Sequence, residues 1–592
     1  MKIKHLFGLA VIAAMTASCS SNEDLGTAGS GTGTNETGVG YATFTINLPS
    51  VSGSTTSGAR GTRAADAGGA DVAPGTEDEY KVANATALIF QKYGSDEGSY
   101  KFVESVDLPD ANVAWEDDAE TGVTKSKKLV AKLTNVDTKN TYGVLVLLNN
   151  KTASGDVKIK LPTVGQSYNE WNNKEQSPKL TDLAATDNFY MANAPLNESG
   201  SVTTLVTINK NNIYATKPEA ESGTNAANVY VERGVAKMSV ATPGTTGKIT
   251  VMDKAKPTVP TKSEVTFSKW ALDITNQKTY AVHNIDGLSK DFSAIWTTAR
   301  FTGTNKRVYW GKDPNYDKTV LKDADDASDI ERGKEFNFIK TTSDINLDFD
   351  KSTYCLENTF NLENMYQGQT TRVIFKATYA PKDNAGNSLA EGDGTFYTIG
   401  NMTTILKEVD LKKAVDAAAT SVLPGCVVEY ANLKKEGSHV ITLEDIKENA
   451  SSTTHLGGST PYSIGTGSKT GDEIVADINA KLGLKAGRPE EMVGINTYLE
   501  GATYYIARVK HFGSLTDWHS GESYSDNNVK YLGRYGMLRN NWYELQVGNV
   551  YGPGYPGVPP VDPTLPDDEN EKYLSVSVKI LSWAKRSDTV DL

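Results

Sequence analysis

Apolar and polar residues alternate along much of this chain, in short runs parted by Gly, Pro, Asn, Asp and Ser. The first run is Tyr41 to Leu48, with Ala42, Phe44, Ile46 and Leu48 on one face and Pro49 directly after. A two-residue period is the signature of a half-buried strand, and proline cannot continue a sheet interior. From Tyr80 onward further runs follow: Ala87 to Phe90, Tyr142 to Leu148, Ser201 to Ile208, Val229 to Val231 and Val235 to Val240. Short strands separated by turn residues predict β-sandwiches. Helical spacing is scarce. It occurs at Asp410 to Val415 with an alanine-rich sequel, and at Asp472 to Leu484, where Ile474, Ile478 and Leu482 share a stripe. Thr242-Pro243-Gly244-Thr245 reads as a border between two β-rich halves.

The last alternating run is set apart from the rest. Asn549 to Asp568 carries Gly552, Gly554 and Gly557 and six prolines: Pro553, Pro556, Pro559, Pro560, Pro563 and Pro566. Such a stretch is extended and semi-rigid, and it predicts an arm that holds the following strand away from the body. That strand runs from Tyr573 to Trp583, with Leu574, Val576, Val578 and Ile580 alternating with polar residues. It reads either as the final strand of its own sandwich or as a strand added to another chain.

The front end mirrors this arrangement. Ser20 to Gly40 is a Ser, Gly, Thr and Asn tether, and Ser50 to Gly75 is a pliant stretch containing Arg60 and Arg63. Basic residues in such a loop are open to a trypsin-like protease. A cut there would leave the Phe44, Ile46 and Leu48 strand free to detach. Its loss would open an apolar groove, and the tail strand of a neighbour would close it. That contact is head-to-tail and builds a filament.

Ahead of the tether, Lys2 and Lys4 precede an apolar run from Leu6 to Met15 and then Thr16-Ala17-Ser18-Cys19. This is the layout of an export signal, too short to span a bilayer. Small residues directly before Cys19 are similar to a bacterial lipobox, although Leu is missing three residues before the cysteine. The mature chain is expected to be exported, either with Cys19 acylated as at a lipobox or behind an ordinary signal peptide in which Cys19 is incidental.

Charge and candidate chemistry narrow the function. The net charge of −13 argues against binding nucleic acid or anionic lipid, which take clustered basic residues. Three cysteines make no disulfide framework; Cys355 and Cys426 are either one pair or two buried thiols. The histidines, His5, His283, His439, His455, His511 and His519, lack metal-ligand spacing, and His511 and His519 read as surface or turn residues. Gly465 to Gly471 has Lys469 ahead of Gly471, the wrong order for a phosphate loop, and reads as a loop capping a helix. Asp323, Asp325, Asp326 and Asp329 lack the turn glycine of a calcium loop and read as a solvated acidic turn. No catalytic residue, metal or cofactor is expected, and the chain is not read as an enzyme.

Several motifs together resemble the major subunit of the short fimbriae of Bacteroidales, in the fimbrillin superfamily of type V pili. They are Tyr354-Cys355-Leu356-Glu357-Asn358-Thr359-Phe360 with Thr370-Thr371-Arg372-Val373, Tyr309 to Tyr316, Arg539 to Leu545, the Trp583 to Leu592 terminus, and Val235-Ala236-Lys237. The resemblance implies an all-β fold of two transthyretin-like sandwich domains with few short helices. It implies a lipoprotein signal over 1–19, a tether and removable strand over 20–63, sandwiches over 64–244 and 245–548, and an arm with donor strand over 549–592. It further implies cleavage after Arg60 or Arg63 by an arginine-specific protease, and donor-strand polymerisation through Leu574, Val576, Val578, Ile580 and Trp583. The implied partners are other copies of the chain, anchor and tip subunits, and an adhesion target on a host or bacterial cell. The implied place is the outer membrane as a lipidated precursor, then a surface fimbria. The competing expectations are an accessory or tip adhesin, a glycan-binding surface lipoprotein, and, last, a surface hydrolase built on an acidic pair.

Overall fold

The computed structural model describes residues 38–49, 75–117, 123–137, 139–198, 201–293, 308–318, 329–489, 491–512, 526–563, 565 and 574–582. Strands dominate them and helices are few and short, so the chain is all-β as its period predicts. The N-terminal strands are β1 (Gly40–Pro49), β2 (Ala85–Gln91), β3 (Lys101–Asp107), β4 (Glu116–Asp117), β5 (Val123–Leu133), β6 (Tyr142–Leu148), β7 (Met191–Asn193), β8 (Val206–Ile208), β9 (Ile213–Tyr214) and β10 (Ala227–Arg233). They form one sheet in the order β3-β2-β6-β7-β10-β1-β5-β4, with β8 also on β6 and β9 also on β1. The sheet encloses one core that includes Phe44, Ile46, Leu88, Phe90, Val144, Trp171 and Val229. Short helices flank it, among them α1 (Glu77–Tyr80) and α2 (Lys217–Ser222). Within the predicted run Ser201 to Ile208, only the Val206–Ile208 end joins this sheet; Ser201–Thr203 pairs instead in a separate small hairpin.

The chain passes to a pair of facing sheets at Gly234 and Val235. Strand β10 ends at Arg233, and β11 (Ala236–Val240) already belongs to the C-terminal sandwich. The change of sheet therefore precedes the Thr242 to Thr245 turn at which the sequence places a border. The remaining strands are β12 (Lys248–Asp253), β13 (Lys256–Asp273), β14 (Ser352–Cys355), β15 (Arg372–Ala380), β16 (Phe396–Ile399), β17 (Gly437–His439), β18 (Ile495–Tyr498), β19 (Ala502–Arg508), β20 (Asn541–Val550) and β21 (Leu574–Ser582). Sheet β14-β11-β20-β21 faces sheet β12-β13-β15-β19 across a core of Met238, Val265, Phe267, Trp270, Phe375, Tyr505, Tyr543 and Leu545.

Between β15 and β19 the chain builds a small module with a core of its own. Sheet β16-β18-β17 carries α3 (Glu408–Val422) and α4 (Gly471–Lys481). Leu411, Val415 and Ala419 of α3, and Ile474 and Ile478 of α4, face that core at helical spacing. Thr470 accepts from the Glu473 amide and Glu473 reaches back to the Thr470 amide, a capping box that starts α4. The Gly465 to Gly471 segment is thus a hairpin end and a helix cap.

The structure corrects two expectations. His511 is not at the surface: it is 3% exposed, with Nδ1 on the Tyr543 hydroxyl at 2.7 Å and Nε2 on the Tyr309 carbonyl at 3.0 Å. Both ring nitrogens have partners, which is what lets an imidazole be buried. The Pro/Gly arm is not held away from the body either; from Gly552 to Pro563 it lies against the C-terminal sandwich, half-buried or buried throughout. Cys355 and Cys426 are both buried, unbonded, and in separate cores. His519, Asp323, Asp325 and Asp326 lie outside the described residues.

Candidate functional site: the strands at the two ends

Strand β1 buries the face that the alternation of Ala42, Phe44, Ile46 and Leu48 marks. These four side chains are 0–2% exposed. On one side β1 runs antiparallel to β5, from Gly40 opposite Leu133 to Asn47 opposite Ser126. On the other it runs parallel to β10, from Phe44 beside Ala227 to Asn47 beside Tyr230, with β9 continuing that side at Tyr41 and Ala42. Its other face is covered as well. Tyr41 packs with Tyr214 and Ala220, and the Thr43 hydroxyl donates to the Ala220 carbonyl at 3.1 Å. Asn47 is buried and donates to the Val229 carbonyl at 3.3 Å. Among positions 41 to 48, only Thr45 is partly open.

The energetics follow from this placement. Burying Phe44, Ile46 and Leu48 contributes about 1.5–3 kcal/mol per side chain. Loss of β1 would also strip hydrogen-bond partners from β5 and β10, and unpaired sheet backbone is a ready template for another strand.

Strand β21 holds the opposite position. Among the described residues it lies at the edge of its sheet and pairs only with β20, antiparallel, from Asn541 opposite Ser582 to Val550 opposite Leu574. In this structure the tail is therefore the last strand of its own sandwich. The arm between β20 and β21 is pinned at three levels. Gly554 donates its amide to the Thr503 hydroxyl at 2.9 Å, and Tyr555 pairs with Tyr504 as an isolated bridge. Tyr498 and Tyr505 donate hydroxyls to the Gly554 and Gly552 carbonyls, each at 2.9 Å. Buried Arg372 reaches the Pro559 carbonyl at 2.6 Å and the Pro560 carbonyl at 3.2 Å, while its Nε holds Asp273 at 2.8 Å. Proline carbonyls accept although their nitrogens cannot donate, so a proline-rich arm docks through its oxygens.

The two sandwiches meet over buried charge. Glu79, on α1, accepts from Lys237 Nζ at 2.7 Å and from the Tyr354 hydroxyl at 2.6 Å. Burial pushes its carboxyl up, but the Lys237 ammonium and the Tyr354 hydroxyl outweigh it and hold the group below the usual range. Lys237 also sits over the Trp542 ring, 4.1 Å from its centroid. Arg233 Nε donates to the Glu79 carbonyl at 2.9 Å. Nearby, His283 places Nδ1 2.8 Å from Glu232 and Nε2 3.0 Å from the Trp310 carbonyl. Burial opposes charge on this ring, yet Glu232 prevails and its pKa is raised.

The predicted site residues thus divide. Phe44, Ile46 and Leu48 are brought together in the sheet interior, and Leu574, Val576, Val578 and Ile580 lie on an edge strand of the other sandwich. Cys19, Arg60, Arg63 and Trp583 lie outside the described residues. Sequence reading missed Glu79, and the docking contacts of Arg372 and Gly554. Arg372 stood within a quoted motif, and nothing local marked its pairing with proline carbonyls almost two hundred positions on.

Residues 496–589 match the family described as major fimbrial subunit protein type IV, fimbrillin, C-terminal. That span takes in β19, β20, the arm and β21. No curated protein matches the chain. Among solved structures, a candidate cell adhesion protein from Parabacteroides distasonis is 11% identical, with a TM-score of 0.35, over 92% of this chain and 98% of that one. The tip fimbrial protein Mfa3 from Porphyromonas gingivalis, with C-terminal truncation, is 10% identical, with a TM-score of 0.31, over 92% and 100%. A fimbrial assembly protein from Parabacteroides distasonis is 12% identical, with a TM-score of 0.28, over 62% and 94%. These likenesses are too loose to carry residue roles.

Proposed function

We propose, from the premise that residues 496–589 place the C-terminal segment with the fimbrillins, that the chain is the stalk subunit of a surface fimbria, assembled by protease-triggered strand exchange. The observation that carries this reading is the position of β1. It is an interior strand, and the stretch that joins it to the rest of the chain, residues 50–74, contains Arg60 and Arg63. A cut after either arginine turns β1 from a covalent part of the sheet into a bound peptide. Acylated Cys19 stays with that peptide, so release of β1 also releases the body from the outer membrane. The groove between β5 and β10 then takes the tail strand of another copy, through Leu574, Val576, Val578, Ile580 and Trp583. Anchor and tip subunits would end such a filament, and adhesion to another cell would be its use.

The test is cleavage of the purified chain with an arginine-specific protease. The expected result is a ladder of SDS-resistant oligomers, whose subunits start at Gly61 or Ala64. Replacing both Arg60 and Arg63 with Ala should abolish the ladder, and so should deleting Tyr573 to Leu592. A ladder that survives the tail deletion rejects strand donation by the tail.

A second reading has one observation in its favour. The tail strand already has a partner, β20, in its own chain. A self-contained accessory or tip adhesin, or a glycan-binding surface lipoprotein, would keep it there. That reading expects a cleaved or uncleaved monomer that binds its ligand without polymerising.

A further inference from the structure

The polarity and register of the joint can be read by comparing what β1 leaves behind with what the tail offers. This rests on the strand-exchange reading above. The tail has one apolar set, Leu574, Val576, Val578 and Ile580, and one charged residue between Leu574 and Ser582, Lys579. In the groove the alternate positions of β1 make different demands. Ala42, Phe44, Ile46 and Leu48 face the core, and Tyr41, Thr43 and Asn47 on the other face are buried too. Thr45 alone is partly open. A buried ammonium without a partner is strongly disfavoured, so Lys579 belongs at the place of Thr45. Lys128, the residue opposite Thr45, is exposed and turns its own ammonium to the carbonyls of Glu221 and Gly223.

That constraint leaves two alignments, one for each direction of the donor. With the donor running the same way as β1, Val576 takes the place of Ala42, Val578 that of Phe44, Ile580 that of Ile46 and Ser582 that of Leu48. Serine then leaves a void at the place of Leu48, Leu581 replaces the hydrogen-bonded Asn47, and Val578 underfills the place of Phe44. With the donor running the opposite way, Ser582 replaces Ala42, Ile580 replaces Phe44, Val578 replaces Ile46 and Val576 replaces Leu48. On the other face Ser577 replaces Asn47, Leu581 replaces Thr43 under Ala220, and the next residue, Trp583, falls at Tyr41. Small replaces small at Ala42, polar replaces polar at Asn47 and aromatic replaces aromatic at Tyr41; the one mismatch is Leu581 at Thr43, whose hydroxyl bonds the Ala220 carbonyl. Cores accept changes that keep volume and pattern, and reject large voids.

We infer that the tail of a second copy of this chain enters the β1 groove in reverse, with Lys579 at Thr45 and Ile580 at Phe44. The donor strand then runs parallel to β5 and antiparallel to β10, the inverse of β1.

Cross-linking separates the two directions. Ser126 of β5 lies opposite Asn47, and Val130 opposite Thr43. In the reversed joint Ser126 neighbours Ser577 of the incoming tail, and Leu581 lies four residues further on, about 13 Å away at about 3.3 Å per residue. Chains carrying Ser126→Cys are mixed with chains carrying either Ser577→Cys or Leu581→Cys, cleaved with the arginine-specific protease, and treated with a short bis-maleimide. Wild-type chains serve as the blank for Cys355 and Cys426, which are buried. The expected result is a covalent dimer from the Ser577→Cys mixture, several-fold above the Leu581→Cys mixture. The opposite preference, equal yields, or no covalent dimer while SDS-resistant ladders form would overturn the inference and leave the fimbrial reading standing. Val130→Cys gives an independent check with the preference exchanged, Leu581→Cys above Ser577→Cys. If wild-type chains form no ladder on cleavage, the strand-exchange reading falls and this inference with it.

Discussion

The strands at the two ends of the chain carry almost the same pattern and occupy opposite kinds of place. Strand β1 has four apolar residues at two-residue spacing, and so does β21. Yet β1 is interior, hydrogen-bonded on both sides, while β21 is an edge strand with one neighbour. The difference teaches that alternation specifies a face to be buried and says nothing about how many edges are paired. It also assigns unequal consequences to losing each strand. Removing an edge strand uncovers one row of backbone groups; removing an interior strand uncovers two and opens the core.

The largest effect that tests this contrast comes from deletion. A chain lacking Gly40 to Pro49 should express as an aggregating or partly unfolded protein, whereas one lacking Tyr573 to Leu592 should stay soluble and fold. Far-UV circular dichroism and size-exclusion chromatography would read both. A well-folded monomer without β1 would break the comparison.

The next effect comes from Phe44→Ala. A buried Phe reduced to Ala costs about 3–5 kcal/mol, so the uncut chain should lose that much in chemical denaturation of its N-terminal half. After cleavage and polymerisation the same substitution should be silent, because the altered strand has left. A loss that persists in the polymer would mean that β1 never departs.

Glu79→Gln sharpens the contrast from the other side. Glu79 follows the 50–74 stretch and stays with the body after any cut there. Removing one partner of a buried ion pair costs about 3–5 kcal/mol, and here the loss should be the same before and after cleavage. The pH dependence has two signs at this junction. Glu79 is held below its ordinary value, so its contribution is present above that value and lost as pH falls through the folded-state pKa. His283 is raised, so its contribution is present at low pH and lost as pH rises through its folded-state pKa. Thermal melts of wild type across pH should therefore show stability falling off on both sides, and Glu79→Gln should flatten the acid side only.

How much of this was legible beforehand differs by residue. The faces of β1 and β21 were plain from Phe44, Ile46, Val576 and Val578, because a two-residue period needs no partner to be seen. The interior position of β1 was not, since β5 and β10 lie roughly 80 and 180 residues later in the chain. The passage between sheets at Gly234 was only half visible: Glu232-Arg233-Gly234 breaks the alternation between Val231 and Val235, but that break does not show that β10 and β11 join different sheets, which long-range pairing decides. His511 read as a surface or turn residue because no local spacing gave it a partner, and the Tyr543 hydroxyl that it meets comes from another strand. The arm's composition correctly announced an extended segment, but composition cannot show that Arg372 and Thr503 wait to receive its backbone.

The smallest effect concerns that arm. At Gly554 a Cβ would run into the carbonyl oxygen of Tyr504, which is backbone and cannot turn aside. Gly554→Ala must therefore lift the arm at the point where it bonds Thr503 and Tyr498. Strain of this kind costs about 1–3 kcal/mol, and it falls only on the state in which the arm is docked and β21 sits on β20. A subunit that has given its tail to a neighbour no longer has to hold that state. The substitution should thus lower the melting temperature of the uncut monomer slightly and speed ladder formation after cleavage, two changes of opposite apparent merit from one methyl group. Time courses of SDS-resistant oligomers for wild type and Gly554→Ala at equal cleavage would measure it. A variant that assembles more slowly would show that the docked arm guides the tail into its partner, and that the edge position of β21 is a step toward the joint and not a state the joint must undo.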